Sequence, residues 1–180
     1  KHQTPYTVPL KLSSTPSSGI SAIAYSNLVK HIGMQELPVQ VYDVVQQLAQ
    51  PDMKILHNFG VDVLDIGRVF NDQPSDWKPT TLANGDAAFY PKWFNPVKLK
   101  DGSYATYDDD GKTMLSKMPV GATFFDQTYF PYLDGYPGNY DKLDDEMGRV
   151  MWARDVHSPW DHAGDDGFRE TLRKKTLHLR

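Results

Sequence analysis

Three turn dipeptides, Asn84-Gly85, Asp101-Gly102 and Asp110-Gly111, fall in the middle third of this 180-residue chain. They constrain the fold more than any other feature. A two-residue hairpin turn needs positive φ at its centre, and Asn-Gly or Asp-Gly meets that need at least cost. The segments around these turns hold Phe89, Tyr90, Tyr104, Tyr107 and Met114, and aromatic residues suit a pleated, half-buried surface. The spacing predicts an antiparallel β-meander over residues 80–118.

The flanks carry a different pattern. Residues 7–12 alternate loosely and read as a short strand, and residues 13–19 are a Ser/Thr/Pro/Gly loop. Ser18 suits an N-cap, Ile20, Ile23, Ala24, Leu28 and Ile32 share one helical face, and Gly33 suits the stop. A second helix is predicted with Val41, Val44, Val45 and Leu48 as its buried stripe. Pro51 then opens another, with Ile55, Leu56 and Phe59 inward and Gly60 at its end. Residues 61–66 read as a strand. Helices resume near Asp141, and a last one starts near Asp166, where acidic residues precede Arg173, Lys174 and Lys175 as the helix dipole favours.

Two strands joined by a helical crossover imply a parallel pair, and a parallel sheet needs further strands and helices on both faces. The fold class read from this order is α/β. It is the N-terminal portion of a partial (β/α)8 TIM barrel, one domain over residues 1–180, with the meander of about 80–118 inserted between barrel units. The alternative is a small α+β domain with a sheet of its own. A barrel portion would leave sheet edges uncovered and would depend on the missing half of the barrel or on another copy of the chain.

Composition excludes several classes of function. With 19 basic and 23 acidic residues the net charge is −4, which gives no electrostatic reason to expect nucleic acid. There is no cysteine, hence no disulfide and no thiolate metal site in these residues. No apolar run approaches the ~20 residues of a membrane helix, and residues 1–9 have no apolar signal core. A cytoplasmic location is the expectation.

Three constellations carry candidate chemistry. The loop at residues 13–19 offers the hydroxyls of Ser14, Thr15, Ser17 and Ser18 beside a helix start, and in a barrel it would lie at the active-site end of a strand. Its other reading is an ordinary capping loop. Arg68, just past the second strand, suits bidentate contact with an anionic substrate, or a salt bridge to a nearby carboxylate. His157, Asp161 and His162 lie within six residues, but Pro159 interrupts any regular helical pair of metal ligands, so the segment reads as a structural loop. Asp108-Asp109-Asp110-Gly111 has the start of a calcium loop without its closing Glu and reads as a solvated hairpin turn.

Several stretches together resemble one family. They are Val8-Pro9-Leu10-Lys11-Leu12, Thr15-Pro16-Ser17-Ser18-Gly19-Ile20, Val41-Tyr42-Asp43-Val44-Val45, Phe59-Gly60-Val61-Asp62-Val63-Leu64-Asp65-Ile66-Gly67-Arg68, Trp93-Phe94-Asn95-Pro96, Phe125-Asp126-Gln127 and Trp160-Asp161-His162-Ala163-Gly164. The chain is similar to the uroporphyrinogen decarboxylase-like superfamily, and more closely to its branch containing corrinoid-linked methyltransferases. The resemblance implies a (β/α)8 barrel enzyme acting on a small molecule. It also carries Trp160, Asp161 and His162 into the candidate site as a family motif. The decarboxylase grips tetrapyrrole carboxylates with arginines in the first loop, where this chain has none. Its aspartate after the second strand is also missing from Ile66-Gly67-Arg68-Val69. Both departures favour methyl transfer from a small methylated compound, with a corrinoid protein as partner. The zinc of that branch would be held by residues outside this chain. Decarboxylation of a porphyrinogen or other carboxylated ring, and a non-catalytic binding barrel, are the alternative readings.

Overall fold

The computed structural model describes residues 8–136, 138–156 and 164–177. The two segments predicted as barrel strands meet at a single parallel bridge, Lys11 to Val63. Asp62 holds this contact from both ends. Its N–H donates to Leu10 O at 2.8 Å, and its carboxylate accepts from Leu10 N at 2.9 Å. Neither segment extends into a ladder there. The chain instead turns through the loop at 13–19 into a two-residue strand β1 (Ile20–Ser21) and helix α1 (Ala22–His31).

Ser21 caps α1 by accepting from Ala24 N at 3.2 Å, so the helix starts three residues beyond the expected Ser18. Gly33, at φ 73°, ends it. Met34 N donates to Val29 O and Gly33 N to Lys30 O, the paired bonds that close a helix on a left-handed residue. The buried face carries Ala22, Tyr25 and Val29.

The expected second helix is absent. Residues 40–50 form a hairpin of β2 (Gln40–Asp43) and β3 (Leu48–Gln50). Val41, Val44, Val45 and Leu48 are all buried, so their apolar character was read correctly and their period was not. The Asp43 carboxylate accepts both the backbone N–H and the side-chain amide of Gln46 at 2.8 Å, which closes a turn that competes with helix. Gln47 takes φ 54°, and the β-branched valines pack well on a sheet. After Pro51, Asp52 caps α2 (Met53–Asn58), which buries Ile55 and Leu56, while Phe59 is largely exposed.

Each of the three Asx-Gly pairs makes its turn, with Gly85 and Gly102 at φ 86° and Gly111 at 64°. Their hairpins belong to two different sheets. β4 (Trp77–Thr81) and β5 (Ala87–Pro91) join the first sheet, in the order β1-β3-β2-β5-β4. Strands β6 (Val97–Lys98), β7 (Tyr104–Tyr107), β8 (Met114–Met118) and β9 (Asp126–Gln127) form the second, wholly antiparallel sheet. The only parallel strand pairing in the first sheet is Gln40 with Phe89.

The partial (β/α)8 barrel is therefore corrected. A barrel repeats parallel strands, each followed by a helix. This chain forms two mostly antiparallel sheets with short helices. The meander is half of the architecture and not an insertion. The 7–12 and 61–66 segments meet at one bridge only, and the 40–50 segment pairs as an antiparallel hairpin where a helix was expected.

Aromatic edges join the two sheets. The Phe94 ring meets Tyr90 edge-on at 5.1 Å and Phe125 at 5.7 Å, and Phe125 N donates to Val45 O at 2.8 Å. The helical end is pinned by charge. Arg149 Nε donates to Asp108 at 2.7 Å, and Arg154 Nη2 donates to the same carboxylate at 2.9 Å. Arg149 lies between α3 (Leu143–Met147) and α4 (Met151–Arg154), and Arg154 ends α4. The terminal α5 (Asp166–Leu177) stacks Phe168 on Phe70 at 5.2 Å and sends Lys175 to Val69 O at 2.9 Å. No described helix is long and apolar enough to cross a membrane.

Acid should loosen this arrangement at identifiable places. Lys30 and Ser26 donate to Asp86 in the first hairpin turn, and these bonds lower its pKa from the ordinary 3.8 to about 2. The hydroxyl and N–H of Ser103 do the same for Asp101, and the backbone N–H groups of Thr113 and Lys112 for Asp110, each to about 2. A depressed folded-state pKa gives stability that is fully present above the unfolded value and is lost as pH falls through the folded one. Denaturant midpoints should therefore hold steady down to about pH 4 and decline between there and about 2. Asp86→Asn should reduce that decline, and an unchanged profile in the variant would refute the assignment.

Candidate functional site

Where the two sheets face each other they leave a cleft of about 660 Å³, within the usual range for small-molecule sites. One wall is β4 with the turn that follows it, and another is formed by β6, β7 and the loop after β8. The start of α1 and the Gln47 turn close one side. Pro79, Leu82, Met118 and Val120 supply apolar lining.

Polar groups also line it. The Tyr90 hydroxyl donates to Gln47 Oε1 at 2.8 Å, and burial pushes its pKa up to about 12, so it stays a neutral phenol at physiological pH. Lys78 reaches into the cleft from β4 and donates to the Asn95 side-chain carbonyl. Partial burial lowers its pKa. Lys98 projects from β6 with its ammonium 5.9 Å from the Tyr104 ring centre, within reach of a cation–π attraction. Among the described residues no Asp or Glu lines the cleft.

The residues singled out from sequence lie elsewhere. In the 13–19 loop the hydroxyls of Ser14, Thr15, Ser17 and Ser18 bond mainly to one another and to loop backbone. Thr15 Oγ1 and Ser17 Oγ are 3.0 Å apart, and Ser18 Oγ donates to Thr15 O at 3.1 Å. None of them lines the cleft. Arg68 sits in a 3-10 turn (Ile66–Asn71), where Nη2 donates to Pro51 O at 2.9 Å. Burial lowers its pKa, opposed by Asp52 and Asp65 nearby. With Asp72 and Lys175 it borders a separate, smaller pocket of about 310 Å³. The structure thus brings neither the serine loop nor Arg68 to the main cleft. Trp160, Asp161 and His162, with the rest of the 157–163 segment, lie outside the described residues.

Among the described residues no three His, Asp or Glu side chains converge as a metal site. Asp110 of the acidic turn is occupied by the N–H groups of Lys112 and Thr113, at 2.7 and 2.8 Å. Asp108 is taken up by the two arginines described above.

No protein-family model, curated protein or solved structure matches this chain.

Sequence reasoning missed Lys78 and Lys98. Each looks like an ordinary solubilising lysine next to a proline-containing strand or loop. They share a cleft because β4 and β6, which belong to different sheets, both border it, and nothing local encodes that.

Proposed function

We propose that the chain belongs to an enzyme that acts on a small molecule held in the inter-sheet cleft, and that the reaction is methyl transfer in a corrinoid-linked system. The observation carrying the binding half is the cleft itself, which combines apolar lining with polar groups such as Gln47, Lys78, Tyr90, Asn95 and Lys98. The reaction half rests on the resemblance to the uroporphyrinogen decarboxylase-like superfamily. Within that resemblance, the missing first-loop arginines favour the methyltransferase branch.

The chain's own residues do limited, specific work in this reading. The apolar walls exclude water from the bound molecule. Tyr90, held by Gln47, offers a neutral hydroxyl, and the lysines orient charge. The described residues do not fit a zinc ion, so no step is drawn through one.

A second reading has one observation in its favour. Lys78 and Lys98 suit a carboxylated ring, which supports porphyrinogen-type decarboxylation. Parallel incubations of the protein with methylcobalamin plus a thiol, and with uroporphyrinogen, separate the two. Demethylation of the cobalt is the expected result. Carbon dioxide release from the porphyrinogen without cobalt demethylation would replace the first reading by the second.

A further inference from the structure

In a chain with net charge −4, a cleft bordered by two lysines and no carboxylate is a local reversal of sign. Several other basic side chains of the protein are paired with acids. Lys30 pairs with Asp86, Lys117 with Asp101, Arg149 and Arg154 with Asp108, and Lys175 with Asp72. Among the described residues neither Lys78 nor Lys98 makes a salt bridge. Lys78 bonds a neutral amide and Lys98 faces a neutral ring. Partial burial lowers the pKa of Lys78.

We propose that the cleft selects a small molecule with an apolar body and a carboxylate, the carboxylate being held by Lys78 and Lys98. This rests on the reading of the cleft as the small-molecule site and specifies its ligand class. An ammonium drawn partly out of water regains most from an anion that it can hydrogen-bond. Pro79, Leu82, Met118 and Val120 have nothing to offer a small hydrated ion, but they do offer burial to an apolar body. Asn95 holds the Lys78 ammonium in position before the ligand arrives, which lowers the ordering cost of binding. Of the anions a lysine pair can bind, a carboxylate on an apolar body makes use of both kinds of lining.

The test compares naphthalene-2-carboxylate with its neutral carboxamide by calorimetric or NMR titration of the protein. The carboxylate is expected to bind at least about tenfold more tightly, the scale of a hydrogen bond to a charged group. In the Lys78→Gln/Lys98→Gln double variant that preference should vanish while amide binding persists, and persistence of amide binding also shows that the cleft is still folded. If both probes bind equally to the unaltered protein, the cleft is a small-molecule site but the anion selectivity is overturned. If neither binds, the reading of the cleft itself fails. A carboxylate preference that survives in the double variant places the anion elsewhere and overturns the assignment of the lysines.

Discussion

Replacing Tyr25 by alanine should destabilise the protein by about 3–5 kcal/mol, the usual cost of emptying an aromatic site in a packed core. Tyr25 is fully buried in α1. Its hydroxyl also accepts the backbone N–H of Asp52 at 2.9 Å, and Asp52 is the residue that caps α2. One side chain therefore fills the core under the first sheet and anchors the start of the next helix. Tyr25→Phe keeps the ring and loses only the hydrogen bond, so it should cost about 1 kcal/mol. Domains of this size are stable by only about 5–15 kcal/mol, so the alanine variant should unfold at much lower urea concentration than the phenylalanine one. Equal midpoints for the two variants in urea denaturation would show that the ring does not carry the packing assigned to it.

The second large effect is expected at the buried polar contact between the second sheet and the helical end. Asp155 follows α4 and is buried. One of its oxygens accepts from Thr106 on β7 and from Ser116 on β8, both at 2.7 Å, and the two hydroxyls are 2.6 Å apart. A buried carboxylate that loses donors bears a desolvation cost it cannot recover from water. The double substitution Thr106→Val/Ser116→Ala keeps the volume nearly constant and removes both donors. It should lower stability by about 2 kcal/mol or more, and by less than the sum of the single variants, because both bonds end on one oxygen. Thermal unfolding of the three variants checks this. Full additivity would mean that the two hydroxyls do not act as one seat.

Several local features were legible because short-range chemistry decides them. The three Asx-Gly turns are of this kind, since glycine tolerates φ near 64–86° at no steric cost. The stops of α1 at Gly33 and of α2 at Gly60 follow the same rule, with Gly60 at φ 65°. The charge pattern of α5 marked a helix that the structure places at Asp166–Leu177. Val41, Val44, Val45 and Leu48 are buried as expected, but Phe59 is exposed, and α1 buries Ala22, Tyr25 and Val29 where Ile20, Ile23, Ala24, Leu28 and Ile32 were the expected face.

Direction and pairing were not legible. A run such as Val41-Tyr42-Asp43-Val44-Val45 satisfies helical spacing and strand propensity at once. The choice between them fell to the Asp43 turn and to the β5 strand waiting beside β2. That choice replaced the expected second helix by a hairpin of the first sheet. The candidate site moved for the same reason. Loop hydroxyls and an arginine stand out in a linear reading because they border predicted strand ends. Lys78 and Lys98 acquire meaning only when two separate hairpins face each other and leave no carboxylate between them. Sequence alone determined the three Asx-Gly turns and the helix stops at Gly33 and Gly60, because those depend on a residue and its near neighbours. Tertiary structure decided strand pairing, the division into two sheets and the sign of charge in the cleft, because those depend on contacts between segments far apart in the chain.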